Sequence, residues 1–174
     1  SRDRALAKRL AFGAIQRRGS LDWVIDRHVS RTLDPEIRAG LQLGLYQLLF
    51  TEIADHAAIG ETVAVVKPHP GAGLVNAVLR AVQREGVDWP SDTDPAGAAV
   101  RHSHPEWLVR MWWDWLGGDQ TRALLAAGNE PAELALRVNP LAGCEVDLDG
   151  RREHDALIAA AGFDLYAHPL YLAG

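Results

Sequence analysis

Asp34 to Phe50 reads DPEIRAGLQLGLYQLLF, and this stretch decides the fold class. Aspartate, proline and glutamate in that order form a helix start. The carboxylate caps free backbone amides, proline supplies a backbone angle that is already helical, and the acid faces the positive end of the helix dipole. Behind it, Ile37, Leu41, Leu43, Leu45, Leu48, Leu49 and Phe50 spread apolar surface almost all round the helix. A helix that is apolar on every side must be covered on every side, which makes it the centre of a bundle. Gly40 and Gly44 share one face of it. Each costs about 1 kcal/mol of helix propensity against alanine, a loss offset where a neighbouring helix comes close.

Helices read outward from this centre in both directions. Upstream, Leu6, Leu10 and Ala14 recur at helical spacing, with Ala7 and Ala11 beside them. Gly19 is expected to end that helix, and Ser20 to cap a second one running through LDWVID (21–26) to about Ser30. Downstream, a helix from Asp55 or His56 carries Ile59, Val63 and Val66 on one stripe, and Pro68-His69-Pro70-Gly71 breaks it. The next, Ala72 to Glu85, buries Leu74, Val75, Val78, Leu79 and Val82 and turns Asn76, Arg80, Gln83 and Arg84 outward. Gly86 to Ala99 then shift to the glycine, proline, aspartate and serine of a linker. His104-Pro105 opens a tryptophan-rich helix, PEWLVRMWWDWL, and another runs from Asp119 to about Gly128. Glu133 to Val138 alternates as a strand does, Asp155 to Ala161 is patterned as a helix, and Phe163 to Tyr166 as a strand.

Composition narrows the function classes. A chain of 174 residues holds one medium domain, or a small domain and part of another. Its 48% apolar content excludes a disordered chain. No apolar run reaches the roughly 18 residues that span a bilayer, so no membrane partner is expected. SRDRALAKRL at the N-terminus lacks the apolar core of a secretory signal, and the expected location is the cytoplasm. The single cysteine, Cys144, excludes an internal disulfide framework and a cysteine-rich zinc site. A net charge of −5 argues against nucleic-acid binding over the whole surface. Residues 1–88 carry 12 Lys+Arg and 10 Asp+Glu, whereas residues 89–174 carry 6 and 13. A phosphate-facing surface therefore belongs in the first half, as a local patch.

Seven blocks then stand in order: Arg4 to Arg18, LDWVID (21–26), GLYQLLF (44–50), HAAIGETV (56–63), GLVNAVLR (73–80), HSHPEWLVR (102–110) and RVNPL (137–141). In order and spacing they resemble the N-terminal region of the RsmB family, also called Sun or Fmu, the small-subunit rRNA cytosine-C5 methyltransferases. That region has the fold of the antitermination factor NusB. The resemblance implies a mainly α chain: a NusB-like helical bundle followed by the start of a small α/β domain. The division it implies is an RNA-binding bundle over 1–88 that enters after the family's first helices, a linker over 89–103, and helices plus the opening of the α/β domain over 104–174. Freestanding NusB-type modules share the helical layout but lack the His-Pro-x-Trp-Leu segment and the RVNPL strand. Such a module, binding RNA or a protein in antitermination or ribosome biogenesis, is the alternative reading.

The family's catalytic domain needs a Gly-rich loop for S-adenosylmethionine, a Pro-Cys nucleophile that attacks cytosine C6, and a Thr-Cys that releases product. None of these motifs stands in this sequence. Cys144 lies in Gly-Cys-Glu-Val, and its acidic flank disfavours a thiolate. No catalytic, cofactor-binding or metal residue is assigned. S-adenosylmethionine would belong to the parent enzyme, and ribosomal RNA and the C-terminal methyltransferase domain would be the partners of this segment.

Three groups are candidates for RNA contact. Arg2, Arg4, Lys8, Arg9, Arg17 and Arg18 crowd the first helix and its end, either facing phosphates or merely lying on a solvated surface. Asn76, Arg80 and Arg84 offer donors to phosphate and sugar oxygens, unless the catalytic domain covers them. Among the tryptophans, Leu108, Trp112, Trp115 and Leu116 form a stripe expected to pack in a core. Trp113 lies off that stripe and is the candidate for stacking on a base. His102-Ser103-His104 has metal-pair spacing, but it precedes a helix-starting proline without a third ligand, so a structural role is expected.

Overall fold

The computed structural model describes residues 2–130, 134–137, 150–153 and 156–160. The chain divides into two compact units, Ser1–Asn129 and Glu130–Gly174. The first contains eight helices: α1 (Arg2–Gln16), α2 (Arg18–His28), α3 (Pro35–Phe50), α4 (Asp55–Val66), α5 (Ala72–Glu85), α6 (Pro95–His102), α7 (Glu106–Leu116) and α8 (Gly118–Ala127). The mainly α class expected from the sequence is what the chain adopts.

Helix α3 is the hub, packed by α1, α2, α4 and α5. Its start follows the sequence signal: the Asp34 carboxylate accepts from the Glu36 amide at 3.0 Å, and Pro35 takes the first helical position. Leu41 and Leu45 are fully buried against Leu21, Ile25, Ile59, Val75 and Leu79. Both α3 glycines sit at close approaches. A Cβ on Gly40 would lie 2.7 Å from a Val66 methyl, and one on Gly44 would lie 2.7 Å from Leu79 and 3.1 Å from Thr62. Buried Gln47 bridges α3 to α4, its amide donating to Thr62 Oγ1 at 3.1 Å.

Arg38 ties α3 to α2. Its guanidinium donates to Asp22 at 2.7 Å and to Asp26 at 2.6 Å. The Asp26 and Asp22 carboxylates hold it above the usual arginine range.

The first two helices meet elsewhere than expected. The break falls at Arg17, and Gly19 and Ser20 lie inside α2. Ser20 is no N-cap; it is buried, and its hydroxyl donates to the Val100 carbonyl at 2.6 Å. Gly19 presents its amide to Ser103 Oγ at 2.9 Å. A bare glycine edge here admits another helix end, a use that local capping rules do not distinguish from termination.

The stretch read as a linker holds α6. Asp94 caps it, accepting from the Ala96 and Gly97 amides at 2.9 and 3.0 Å, and Pro95 follows. This is the same Asp-Pro start as at Asp34. Helices α6, α7 and α8 close a second small core of Ala98, Ala99, Val109 and Leu125.

The tryptophan-rich helix is rotated from its expected phase. Val109 is fully buried, Trp112 and Trp113 pack on the same core, and Trp115 is 79% exposed. Leu108, Trp112, Trp113 and Leu116 are half-buried, so of the stripe expected at 108, 112, 115 and 116 only Trp115 faces solvent. Val109 and Trp113 lie on an equally regular helical line, which periodicity alone does not distinguish.

Among its described residues the second unit carries a three-stranded sheet, β1 (Ala135–Leu136), β2 (Gly150–Glu153) and β3 (Ala156–Ala159). Its order is β1-β3-β2, both pairings are antiparallel, and Ile158 opposes Ala135 on one side and Arg151 on the other. The expected strand over 133–138 is present at Ala135–Leu136. Within the helix expected from Asp155 to Ala161, Ala156–Ala159 form the central strand instead. Four apolar residues in a row are compatible with either state, and here pairing on both edges, with Leu157 and Ala159 buried, selects the strand. Cys144, residues 138–141 of the RVNPL block and the strand expected at Phe163 to Tyr166 lie outside the described residues.

Candidate nucleic-acid interface

The basic candidates fall on α1, at the α1–α2 junction and on α5, around α3. On α1, Arg4, Lys8 and Arg9 are exposed and form no ion pair among the described residues. They share the outer side of α1 with Phe12 and Ile15, each 69% exposed. Arg2 opens the same helix. Arg17 and Arg18 are committed elsewhere. The Arg17 guanidinium lies over the Phe50 ring at 4.7 Å, and Arg18 pairs with Asp22 at 3.4 Å.

On α5, burial of Val75, Val78, Leu79 and Val82 leaves Asn76, Arg80 and Arg84 facing outward. A hydrogen-bonded chain runs along this face. Arg80 donates to Gln83 at 3.1 Å, and Gln83 donates to Asp55 at 3.2 Å. Arg84 is paired with Glu85 at 2.5 Å. Arg80 therefore keeps its charge without a carboxylate partner among the described residues, whereas that of Arg84 is partly compensated. Sequence spacing brought these three residues together correctly; it gave no sign of how unequal their charges are.

Trp113 is half-buried, with the Arg122 guanidinium 5.7 Å from its ring centroid. The tryptophans that face solvent are Trp107, 68% exposed, and Trp115. Trp115 belongs to the stripe expected to pack in a core, and its exposure departs from that expectation. The His102-Ser103-His104 motif is internal scaffolding. His102 Nε2 lies 3.3 Å from Asp92, and His104 Nδ1 lies 2.7 Å from the His102 carbonyl. Ser103 takes a left-handed backbone, φ 59°. From there its oxygen accepts from the Gly19 and Ser20 amides at 2.9 and 3.4 Å.

Residues 1–84, the stretch that holds this helical hub, match the NusB family. This segment is a NusB domain. A second match, over residues 104–148, is to the ferredoxin-like domain of RsmF/B-like methyltransferases. The NusB domain ends before α6, and the second match opens on α7 and α8, which belong to the same compact unit as that domain. The whole chain is similar to ribosomal RNA small subunit methyltransferase B of Pseudomonas putida, 37% identical over 92% of this chain and 36% of the relative. The same enzyme of Klebsiella pneumoniae is 33% identical over 98% of this chain and 39% of its own length. That of Escherichia fergusonii is 33% identical over 79% and 33%. The chain thus spans little more than a third of the length of these relatives. A further exposed cation lies outside the candidates expected from the sequence. Lys67, at the end of α4, is exposed and forms no ion pair among the described residues.

Proposed function

We propose that this chain is the RNA-binding, substrate-positioning segment of an S-adenosylmethionine-dependent small-subunit rRNA (cytosine-C5) methyltransferase. The observation that carries the reading is the order of the two matches in one chain, a NusB domain followed by an RsmF/B-like segment. A freestanding NusB module has no use for the second. No helix among the described residues is long and apolar enough to cross a membrane, which suits a cytoplasmic enzyme acting on ribosomal RNA. The division into 1–88, 89–103 and 104–174 is part of the proposal, with α6 occupying the intervening stretch.

The residues present do not fit a methyl-donor site. The sequence has no Gly-rich loop of that type and neither cysteine motif. Binding of the methyl donor and attack on the base are assigned to the methyltransferase domain of the parent, and this segment's task is to hold RNA. Arg4, Lys8, Arg9, Asn76 and Arg80 are the groups proposed to contact phosphates and sugars. Arg84 is secondary because Glu85 competes for it. Arg2 belongs with the α1 set by position. Arg17, Arg18 and Trp113 are demoted by the contacts they already make.

The test is the Arg80→Ala/Arg84→Ala double variant, titrated with a small-subunit rRNA fragment at several salt concentrations. Loss of phosphate contacts flattens the dependence of log K on log salt by roughly 0.7–0.9 per contact. Unchanged affinity and slope would point to a protein-interaction domain. An antibody against the segment adds the second arm in source cells. A species of about twice 19.0 kDa or more supports the methyltransferase parent, and a species near 19.0 kDa supports the freestanding module.

A further inference from the structure

The outer faces of α4 and α5 enclose an open groove of about 420 Å³, lined among others by Gly60, Ala64, Lys67, Gly73 and Asn76. None of its lining side chains is acidic. Lys67 stands at one wall without an ion-pair partner among the described residues, and Asn76 stands at the other. Arg80, one helical turn beyond Asn76 on the same face, is equally without a carboxylate partner. The groove therefore carries cationic and amide donors over a floor of small residues.

The floor has no internal explanation. Glycine within a helix is unfavourable, and at Gly40 and Gly44 the close packing of Val66 and Leu79 accounts for it. A Cβ at Gly60 or Gly73 would meet nothing within 4 Å. The fold does not need these two positions bare, so the reason for bareness lies outside the fold, in something that approaches the backbone closely.

Resting on the RNA-binding reading, we infer that the α4–α5 groove is the track of a single-stranded RNA backbone, with Lys67 and Arg80 on its phosphates and Asn76 on a sugar hydroxyl. Charge selects this occupant. An apolar protein helix would leave Lys67 and Arg80 facing it without counter-charges, whereas a phosphodiester chain supplies one anion per nucleotide. Contacts of this kind fix register and carry no base specificity. This assigns Lys67, Gly60 and Gly73 to RNA positioning.

The experiment titrates the full chain with a fluorescent, unstructured RNA of about 12 nucleotides, a length within the usual single-strand footprint. Gly73→Leu fills the groove while leaving every charge in place, and Lys67→Ala removes charge while leaving the groove open. The inference expects Gly73→Leu to weaken binding at least tenfold, and Lys67→Ala to lower the salt slope by about 0.7. Thermal melts show that both variants fold. If the parent chain binds this RNA and Gly73→Leu binds equally well, the groove assignment is overturned and the RNA-binding reading survives. If the parent chain does not bind the RNA, that reading fails and takes the groove assignment with it. If Gly73→Leu leaves RNA affinity intact but abolishes self-association in sedimentation, the groove belongs to a protein helix and the inference is wrong.

Discussion

Arg38 shows how few atoms join two helices here. Its two nitrogens reach separate carboxylates one turn apart on α2. Gln42 adds an amide bond to Asp22 at 2.8 Å. Asp22 is the more enclosed partner, with a quarter of its side chain exposed against 61% for Asp26. Arg38→Met is therefore expected to lower stability by about 1–2 kcal/mol, and Asp26→Asn by less than about 0.5, because an exposed pair is screened by solvent. Urea unfolding of both variants checks the order. Ser103 offers a second single-residue test. Its oxygen is the acceptor for two amides of the first turn of α2, and its backbone is left-handed. Ser103→Ala should cost about 1–2 kcal/mol by leaving those amides unserved while keeping the backbone strain. Ser103→Asn should recover part of that, since asparagine tolerates the left-handed region and brings its own acceptor.

Elements are held apart by contact geometry that point substitutions can read. Gly44→Ala adds a methyl that must displace fully buried Leu79 or Thr62, and a loss of about 1–3 kcal/mol is expected despite better helix propensity. Gly60→Ala meets only open space and should gain up to about 1 kcal/mol. A pair of melts that reversed this order would refute the packing account of α3. The same contrast shows what the sequence made legible. Asp34-Pro35, the all-round apolar surface of α3 and the glycine pair identified the hub, because those signals are local and each has one explanation. The α6 start at Asp94-Pro95 was equally local and was overlooked among linker-type residues. Three features were not local. The α1–α2 junction depends on Ser103, more than eighty residues away; the phase of α7 depends on what α6 and α8 present to it; β3 depends on strands at both edges. On the candidate face, spacing placed Asn76, Arg80 and Arg84 together, but only the partners of each cation distinguish a free charge from a neutralised one.

At the scale of the molecule, packing continues past residue 88. Trp89 stacks on Trp23 at 5.8 Å and tilts against Phe50 at 6.2 Å, just beyond that point. Val100 and Ser103 then supply the acceptors for Ser20 and Gly19. A fragment of residues 1–88 should therefore melt at a clearly lower temperature than one of residues 1–129. The Trp89 stack alone is worth about 0.5–1.5 kcal/mol beyond its buried area. The 1–129 fragment contains both helical cores and should unfold in one cooperative step by circular dichroism. Equal melting points for the two fragments would show α6 to α8 to be an appendage. The six tryptophans also make the protein its own optical reporter. Trp23 and Trp89 lie nearly parallel, 19° apart, so their excited states couple and closure of the bundle gains a circular-dichroism signature. Trp107 and Trp115, bathed in water, emit at longer wavelength and are open to iodide quenching. Light from one chain thus distinguishes an interior that has come together from a surface that has been covered, with no label added.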